Sequence, residues 1–194
     1  MTSAAQRKAT FEELYEAIHA LPEGITGEVL VDGQIETMGR PGRSHSRFSS
    51  QLLRHVRDVE DDPTSGWAFE WEREVRITLD RLVVPDLAGW RVQDEDTRFL
   101  DENPLRRVPD WACEVLSDST RGKDRGDKLP LYLRAGVGHV WLADPEGRSV
   151  EVFVAGEDGA PIRIALATGD GVVTLPPFEA CPLDLARLWL PPKR

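Results

Sequence analysis

Two acidic residues stand alone inside apolar runs of this 194-residue chain. Asp86 lies within Leu82–Ala88 and Glu114 within Trp111–Leu116, and each is the only charged residue of its run. Both runs have the length and composition of buried strands, and strand alternation predicts that Asp86 shares a face with its apolar neighbours at i±2. Because an unpaired carboxylate in apolar surroundings is costly, each acid requires a cation, a hydrogen-bond donor or a metal beside it.

A divalent cation is one partner that suits both acids at once. Two carboxylates on neighbouring strands raise each other's pKa unless a cation lies between them. Mg²⁺ and Mn²⁺ prefer ligation by a few carboxylate oxygens and water. The residues leave a second interpretation open, in which one strand lies at a sheet edge and its acid faces water.

Lys128 is the third residue with a possible chemical role, and it ends a polar, basic segment that follows the Glu114 run. It could form an ordinary ion pair on a helix surface with Asp124, four residues earlier. Alternatively, its ammonium group turns back toward the carboxylates, where it could stabilise a charged transition state or orient a water molecule. Three other cations of the segment could contact phosphates there: Arg121, Lys123 and Arg125.

Three helices are predicted to frame these residues. A capping box formed by Thr10 and Glu13 begins the first helix. Apolar residues at helical spacing define the second and third helices, and Pro130 predicts a kink in the third. The predicted bounds are Thr10 to Leu21, Ser44–Glu60 before Pro63, and Ser119–Ala135 before Gly136.

The other apolar stretches alternate in the manner of strands. Asp32-Gly33 predicts a type I′ turn between the first two strands, and Asp144–Gly147 predicts a later turn. Leu183–Leu190 is interpreted as a short helix. The order of helix, hairpin, helix, strands, helix and strands predicts an α/β or α+β fold with a mixed sheet. The other predicted strands lie within 67–91, 107–117, 139–144, 149–155 and 161–167.

Composition limits the class of protein. The length predicts one domain, and the net charge of -10 argues against a general polyanion-coating protein. Arg40–Arg57 nevertheless contains five Arg, two His and no acid; a solvated helix face and a local phosphate-binding surface both explain it. Cys113 and Cys181 are isolated, which favours neither a zinc site nor a disulfide framework and leads us to expect a reducing cytoplasm. The sequence shows neither a signal peptide nor a run of ~20 apolar residues that could span a membrane.

One ordered set of motifs runs along nearly the whole chain. Its segments are Gly27–Met38, Ser44-His45, Val84–Leu87, the block from Pro109 to Tyr132, Gly136-Val137, Trp141-Leu142 and Asp144-Pro145. This set resembles the Uma2 (DUF820) family, whose members are described as restriction endonucleases and are similar in fold to PD-(D/E)xK nucleases. The resemblance implies one domain over residues 1–194 with a restriction-endonuclease-like core, in which helices flank a mixed β-sheet.

The resemblance also implies a catalytic site. Asp86 and Glu114 match the two acids of the family motif, and both would bind Mg²⁺ or Mn²⁺ for phosphodiester hydrolysis. The motif's lysine would fall at Leu116, so Lys128 is expected to supply the ammonium group instead. Two further residues match recurrent family positions and are candidates for the site: Glu28 and His45, the latter also a possible helix cap.

A DNA endonuclease that acts as a homodimer is therefore the leading interpretation. Four arginines are the candidate contacts to the phosphate backbone: Arg43, Arg47, Arg121 and Arg125. The alternative is a catalytically weak or inactive module of the same fold that binds nucleic acid or a protein partner. The absence of lysine at position 116 and the net acidity favour that alternative. A third possibility is other phosphodiester or nucleotide chemistry at the same metal site.

Overall fold

A computed structural model describes residues 7–31, 33–62, 65–92 and 97–191 of the chain. The helices are α1 (Phe11–His19), α2 (Arg43–Glu60), α3 (Arg121–Lys123) and α4 (Leu129–Ala135), with a π-helical turn at Asp124–Lys128 and 3₁₀ turns at Arg98–Asp101 and Leu185–Arg187. The strands are β1 (Thr26–Glu28), β2 (Glu36–Met38), β3 (Trp67–Trp71), β4 (Val75–Thr78), β5 (Arg81–Val83), β6 (Leu87–Arg91), β7 (Trp111–Val115), β8 (His139–Asp144), β9 (Ser149–Ala155), β10 (Pro161–Thr168), β11 (Val172–Val173) and β12 (Leu183–Asp184).

A six-stranded mixed sheet organises the molecule, in the order β10-β9-β8-β7-β6-β3. The β7–β8 pair is parallel, and the remaining neighbours in this sheet are antiparallel. The segment from α3 to α4 makes the crossover between β7 and β8 that a parallel pair requires. The predicted mixed α+β class is therefore confirmed.

Helices cover both faces of the sheet. On one face, α2 buries Phe48, Leu52 and Val56 against a core that includes Trp111 and Trp141. On the other face, α4 buries its own apolar stripe against the even-numbered residues of β7 and β8. Because β7 lies in the middle of the sheet and is buried along its whole length, any polar side chain on it must find its partners inside the protein.

The two edges of the sheet differ. At the β3 edge, the backbone N–H of Phe69 donates a hydrogen bond of 3.1 Å to the side chain of Glu60 in α2. Strand β10 forms the opposite edge, where Ile162, Ile164 and Leu166 are each about half exposed. One edge is thus covered by a side chain, and the other presents apolar groups to solvent.

The predicted helices are largely confirmed. The capping box at Thr10 and Glu13 begins α1, α2 spans nearly the predicted range, and Gly136 ends α4 in a left-handed conformation with φ +99°. The third helix contains the π-helical turn immediately before Pro130. In a regular α-helix the ring of Pro130 would clash with the carbonyl of Gly126, and the wider turn accommodates it. Pro63, the predicted end of the second helix, lies outside the described residues.

A turn lies where the sequence predicts it, since the Gln34 N–H donates a hydrogen bond of 3.1 Å to the Val31 carbonyl oxygen and Gly33 has φ +71°. Strands β1 and β2 do pair, but their pairing ends at Glu28 and Glu36, which a seven-residue segment separates. The chain leaves β2 early because Val29 exchanges two backbone hydrogen bonds with Leu82 of β5, at 2.8 and 3.2 Å. Asp32 lies outside the described residues.

Two further predictions are corrected. Asp86 is not part of a strand: β5 ends at Val83 and β6 begins at Leu87, because Pro85 lacks an N–H and that of Val84 binds the Glu28 side chain instead of a strand. The predicted C-terminal helix at Leu183–Leu190 is instead strand β12 followed by a 3₁₀ turn. Asp184 begins that turn by accepting a hydrogen bond from the Ala186 N–H at 3.1 Å.

Candidate catalytic site

Glu114 occupies the buried middle of the sheet. It lies in β7 opposite Leu142 of β8, and 3% of its surface is exposed. The odd-numbered residues of β7 face α2, so strand alternation turns Glu114 toward the segment that leads into α4. That segment supplies two partners, Lys128 and Tyr132.

Lys128 lies between two carboxylates. Its Nζ is 2.7 Å from Oε1 of Glu114 and 2.9 Å from Oε1 of Glu28, and all three side chains are almost fully buried. The hydroxyl of Tyr132 donates a hydrogen bond of 2.5 Å to the same Glu114 oxygen. The π-helical turn holds Lys128 at this point, since it lies at the junction with α4. Of the two predicted alternatives for Lys128, the structure therefore has the one in which its ammonium group turns back toward the carboxylates.

Glu28 brings a third buried carboxylate to the cluster. It is the last residue of β1, is fully buried, and accepts a hydrogen bond from the Val84 N–H at 2.7 Å. Its other oxygen, Oε2, is buried without a hydrogen-bond partner among the described residues. A buried acceptor in this state marks a place where an additional donor or cation would be stabilising.

Asp86 and His45 complete the arrangement at the end of β7. Oδ2 of Asp86 accepts a hydrogen bond of 2.6 Å from the Val115 N–H, which fixes Asp86 beside the backbone of Glu114. Oδ1 of Asp86 is 2.9 Å from Nε2 of His45, in the first turn of α2. The five predicted site residues therefore form one chain of contacts through β7: His45, Asp86, Glu114, Lys128 and Glu28.

The environment shifts several pKa values in the cluster. Burial raises the pKa of Glu114 well above its usual range, although the Lys128 ammonium opposes this and Asp86 adds to it. Burial also raises the pKa of Asp124, against the opposing charge of Lys128. Burial lowers the pKa of Lys128 and of His45, but the neighbouring carboxylates outweigh it and the net shift of both is upward. The carboxylates outnumber the cations, so the cluster attracts positive charge.

Sequence reasoning missed two members of the site. Asp124 is 3% exposed within the cluster rather than one half of a surface ion pair with Lys128. Tyr132 reads as core because it lies in an apolar stripe; its position four residues after Lys128, on the same helix face, is the signal that could have found it. Leu116, where the motif's lysine was expected, is 2% exposed and packs in the core.

The four predicted phosphate contacts do not lie in one environment. Arg43 is exposed on α2 and Arg47 is half-buried, with its Nη2 3.3 Å from the carbonyl oxygen of Arg187. Arg121 is 2.6 Å from Asp144, and Arg125 forms an ion pair with Glu151. Their binding to nucleic acid stays a prediction.

Comparison with known proteins decides the family. The profile of the Uma2 family, described as "Putative restriction endonuclease", matches residues 11–186. This chain belongs to the Uma2 family. Membership supports a nuclease role, and hence a hydrolase. Among solved structures, a "putative nuclease belonging to DUF820" from Anabaena variabilis ATCC 29413 is similar in fold, with a TM-score of 0.70 and 21% identity over 93% of this chain and 97% of that one. No curated protein matches.

The oxygen donors of the site determine which metal ion it could hold. Among the described residues, no group of three or more His, Cys, Asp or Glu side chains is arranged to hold a metal ion. The donors that are present, carboxylates of Asp86 and Glu114 beside the unpartnered Glu28 oxygen, are nevertheless the hard oxygen ligands that Mg²⁺ takes. Mg²⁺ commonly uses one or two carboxylates, with water and substrate phosphate as the other ligands. The residues fit such a site.

A cavity adjoins the cluster. It has a volume of about 550 Å³, and its lining includes Glu72, Arg73 and Val84. Val84 donates its N–H to Glu28, and Glu72 donates its N–H to the Asp86 carbonyl at 3.3 Å. The cavity therefore lies next to residues that hydrogen-bond to Glu28 and Asp86, and none of the five predicted site residues lines it. No helix within the described part of the chain is long and apolar enough to cross a membrane.

Proposed function

We propose that this protein is a Mg²⁺- or Mn²⁺-dependent endonuclease that hydrolyses phosphodiester bonds in DNA. The observation that carries the proposal is the convergence of five residues from separate segments on one cluster, with Lys128 Nζ within 3 Å of two buried carboxylates. An acidic cluster that holds a single lysine in a fixed position is suited to phosphoryl chemistry. Membership of the Uma2 family supports the same reaction class.

Each residue of the cluster has a role that follows from its contacts. Asp86 and Glu114 would hold the divalent ion, which supplies a bound water of lowered pKa and polarises the phosphoryl oxygens. Lys128, fixed by Glu28 and Glu114, is placed to stabilise negative charge that develops on the phosphate. His45 positions Asp86 through the 2.9 Å contact. The Tyr132 hydroxyl donates a hydrogen bond to one Glu114 oxygen and so fixes the orientation of the Glu114 carboxylate.

DNA is the proposed substrate because α2, which carries His45, also carries four of the five arginines of the basic stretch Arg40–Arg57. Its arginines would contact the phosphate backbone, which contributes affinity without sequence readout. Arg121 and Arg125 would reach phosphates only in competition with Asp144 and Glu151. A homodimer belongs to the same proposal.

Nicking of supercoiled plasmid in Mg²⁺, in Mn²⁺ and in chelator tests the proposal. The wild type should cut with metal only, and Asp86→Asn or Glu114→Gln should lower the rate by at least about 10²-fold, the scale of losing one electrostatic contribution to the transition state. Glu23→Gln removes the same charge from an exposed turn and should cut at the wild-type rate. Equal rates in all four proteins would indicate a contaminating nuclease.

A second candidate function is a binding module without catalysis. It is favoured by the pairing of Lys128 with the very carboxylates a metal would need, and by a core leucine at position 116. This module would bind DNA with a steep salt dependence and leave the plasmid uncut in either metal. If the protein neither cleaves nor binds nucleic acid, both nucleic-acid functions are excluded.

A further inference from the structure

Trp71 is exposed beside the candidate site. It is 49% exposed, whereas the other five tryptophans are at most 6% exposed. We infer that Trp71 stacks on an unpaired base, so that the site takes single-stranded nucleic acid in preference to intact duplex. This inference rests on the proposed function and names the substrate class of the same site.

The backbone ties Trp71 to the catalytic cluster. Trp71 is the last residue of β3 and lies opposite Leu87, the residue that follows Asp86. The next residue, Glu72, donates its N–H to the carbonyl oxygen of Asp86 at 3.3 Å. Glu72 has φ +49°, a left-handed conformation that is costly for a residue other than glycine. Backbone strain of this kind concentrates at functional sites, and here it sets the turn directly after Trp71.

A cation accompanies the exposed ring. The guanidinium carbon of Arg57 lies 5.9 Å from the centre of the Trp71 ring, and Arg57 also forms an ion pair with Glu60. Arg57 is the last cation of the basic stretch on α2, so this stretch leads from His45 toward the aromatic ring. A basic surface that ends in an aromatic ring is the arrangement by which proteins bind single strands without sequence preference.

Stacking distinguishes the substrate because it needs an open base face. In a duplex both faces of an internal base are covered by its neighbours, whereas an unpaired base can lie on an aromatic ring. Stacking joins two uncharged ring faces and does not itself place a phosphate beside the ring. The backbone phosphates would instead lie along the α2 arginines.

Quenching of intrinsic fluorescence by a stacked base reports on this ring, because the other tryptophans are buried and cannot contact a bound base. A mixed-sequence DNA oligonucleotide would be titrated into the protein as a single strand and as a duplex with its complement, with and without Mg²⁺, and the initial signal read before any cleavage. We expect saturable quenching by the single strand and much weaker quenching by the duplex. Trp71→Phe should abolish the quenching while it retains most of the affinity measured by anisotropy of a labelled strand.

Trp71→Ala should weaken single-strand binding by about 5- to 100-fold, the equivalent of losing one stacked base, with an unchanged thermal unfolding transition. Leu79→Ala, which truncates an apolar side chain that is 86% exposed elsewhere, should bind as the wild type does. Equal binding of single strand and duplex, or wild-type affinity in Trp71→Ala, would overturn the inference. If either result is found while the wild type still nicks plasmid, the proposed endonuclease function stands and only the stacking is refuted. If the wild type neither nicks plasmid nor binds DNA, both proposals are refuted.

Discussion

At the residue scale, the unusual feature is a lysine and two glutamates buried together. The side chains of Lys128, Glu28 and Glu114 are almost fully buried. Lys128 Nζ lies within 3 Å of one carboxylate oxygen of each glutamate. Burial of each ion costs several kcal/mol, and only their mutual contacts offset that cost. Such an arrangement is stable while complete and expensive when one member is removed.

Replacement of Lys128 tests this balance. Lys128→Met should lower the free energy of unfolding by about 3–5 kcal/mol, because it leaves buried carboxylates without a counter-charge. Addition of Glu28→Gln should recover part of the loss, since the amide oxygen can still accept the Val84 hydrogen bond. Urea unfolding at neutral pH measures both effects.

Lys123 provides the matched control. It is 2.7 Å from Glu36 in a partly exposed pair, so Lys123→Met should cost less than about 1 kcal/mol. A similar cost for the two lysine variants would contradict the importance of burial at Lys128.

The sequence identified the acids of the site better than their partners. Asp86 and Glu114 stand out because a lone carboxylate in an apolar run breaks a local rule. Glu28 and His45 carry no such local signal and were found only by family resemblance. Tyr132 was missed because a tyrosine among leucines satisfies the core pattern, and its hydroxyl finds Glu114 only through tertiary packing. The chain of contacts from His45 to Glu28 is therefore produced by the fold and is not encoded in any one segment of the sequence.

At the element scale, helices were predicted more accurately than connections. The start of α1 follows from its capping box, and the extent of α2 follows from its apolar periodicity. The local signal located the turn between β1 and β2, but their ladder is short because Val29 pairs with Leu82, more than 50 positions away, which no local signal encodes. The same long-range competition removes Asp86 from the strand that its sequence context suggested.

The space around two glycines predicts that their replacement by alanine changes the stability of the protein in opposite directions. A Cβ at Gly89 in β6 would lie 2.7 Å from Cε1 of Phe69, so Gly89→Ala should destabilise the protein by about 1–3 kcal/mol through overpacking. A Cβ at Gly126 in the π-helical turn would meet no atom within 4 Å. Gly126→Ala should therefore stabilise by about 0.5–1 kcal/mol. Thermal and urea unfolding of the two variants would show the difference in sign.

The ion pair between Arg121 of α3 and Asp144 at the end of β8 predicts that the stability of the fold falls in acid. The hydrogen bond from Arg121 lowers the pKa of Asp144 below its usual value, with a further contribution from the Gly147 N–H and opposition from burial. A lowered folded-state pKa gives stability that is present above the unfolded value near 3.9 and is lost as the pH falls through the folded value.

Arg121→Gln should therefore flatten the fall in unfolding free energy below about pH 4 and have a smaller effect on the slope between pH 5 and 7. Urea unfolding across this range measures the slope. Arg134→Gln, at an exposed position on α4, serves as the charge-matched control. An unchanged acid slope in Arg121→Gln would show that this ion pair does not contribute.

At the scale of the whole molecule, charge is unevenly distributed. The chain carries a net charge of -10, yet α2 presents several arginines on one side of the sheet. Long-range repulsion of DNA and local attraction by α2 oppose each other, so binding should be confined to one face and fall as salt screens the arginines.

The salt dependence of DNA binding tests that surface. Arg43→Gln and Arg47→Gln should each reduce the slope of log affinity against log salt concentration by about 1, the change expected for loss of one phosphate contact. Arg134→Gln removes the same charge from the helix layer on the opposite face and should leave the slope unchanged. Fluorescence anisotropy between low and moderate salt measures the slopes.

The unequal edges of the sheet limit how copies of this protein can join. Glu60 takes up the Phe69 N–H at the β3 edge, which makes that position unavailable to a strand from another chain. Strand β10, at the opposite edge, displays three aliphatic side chains to solvent. Joining of two β10 edges about a two-fold axis would leave capped strands at both ends of the merged sheet. Strand addition would then favour a pair of copies, because the Glu60 contact disfavours further pairing at the β3 edge.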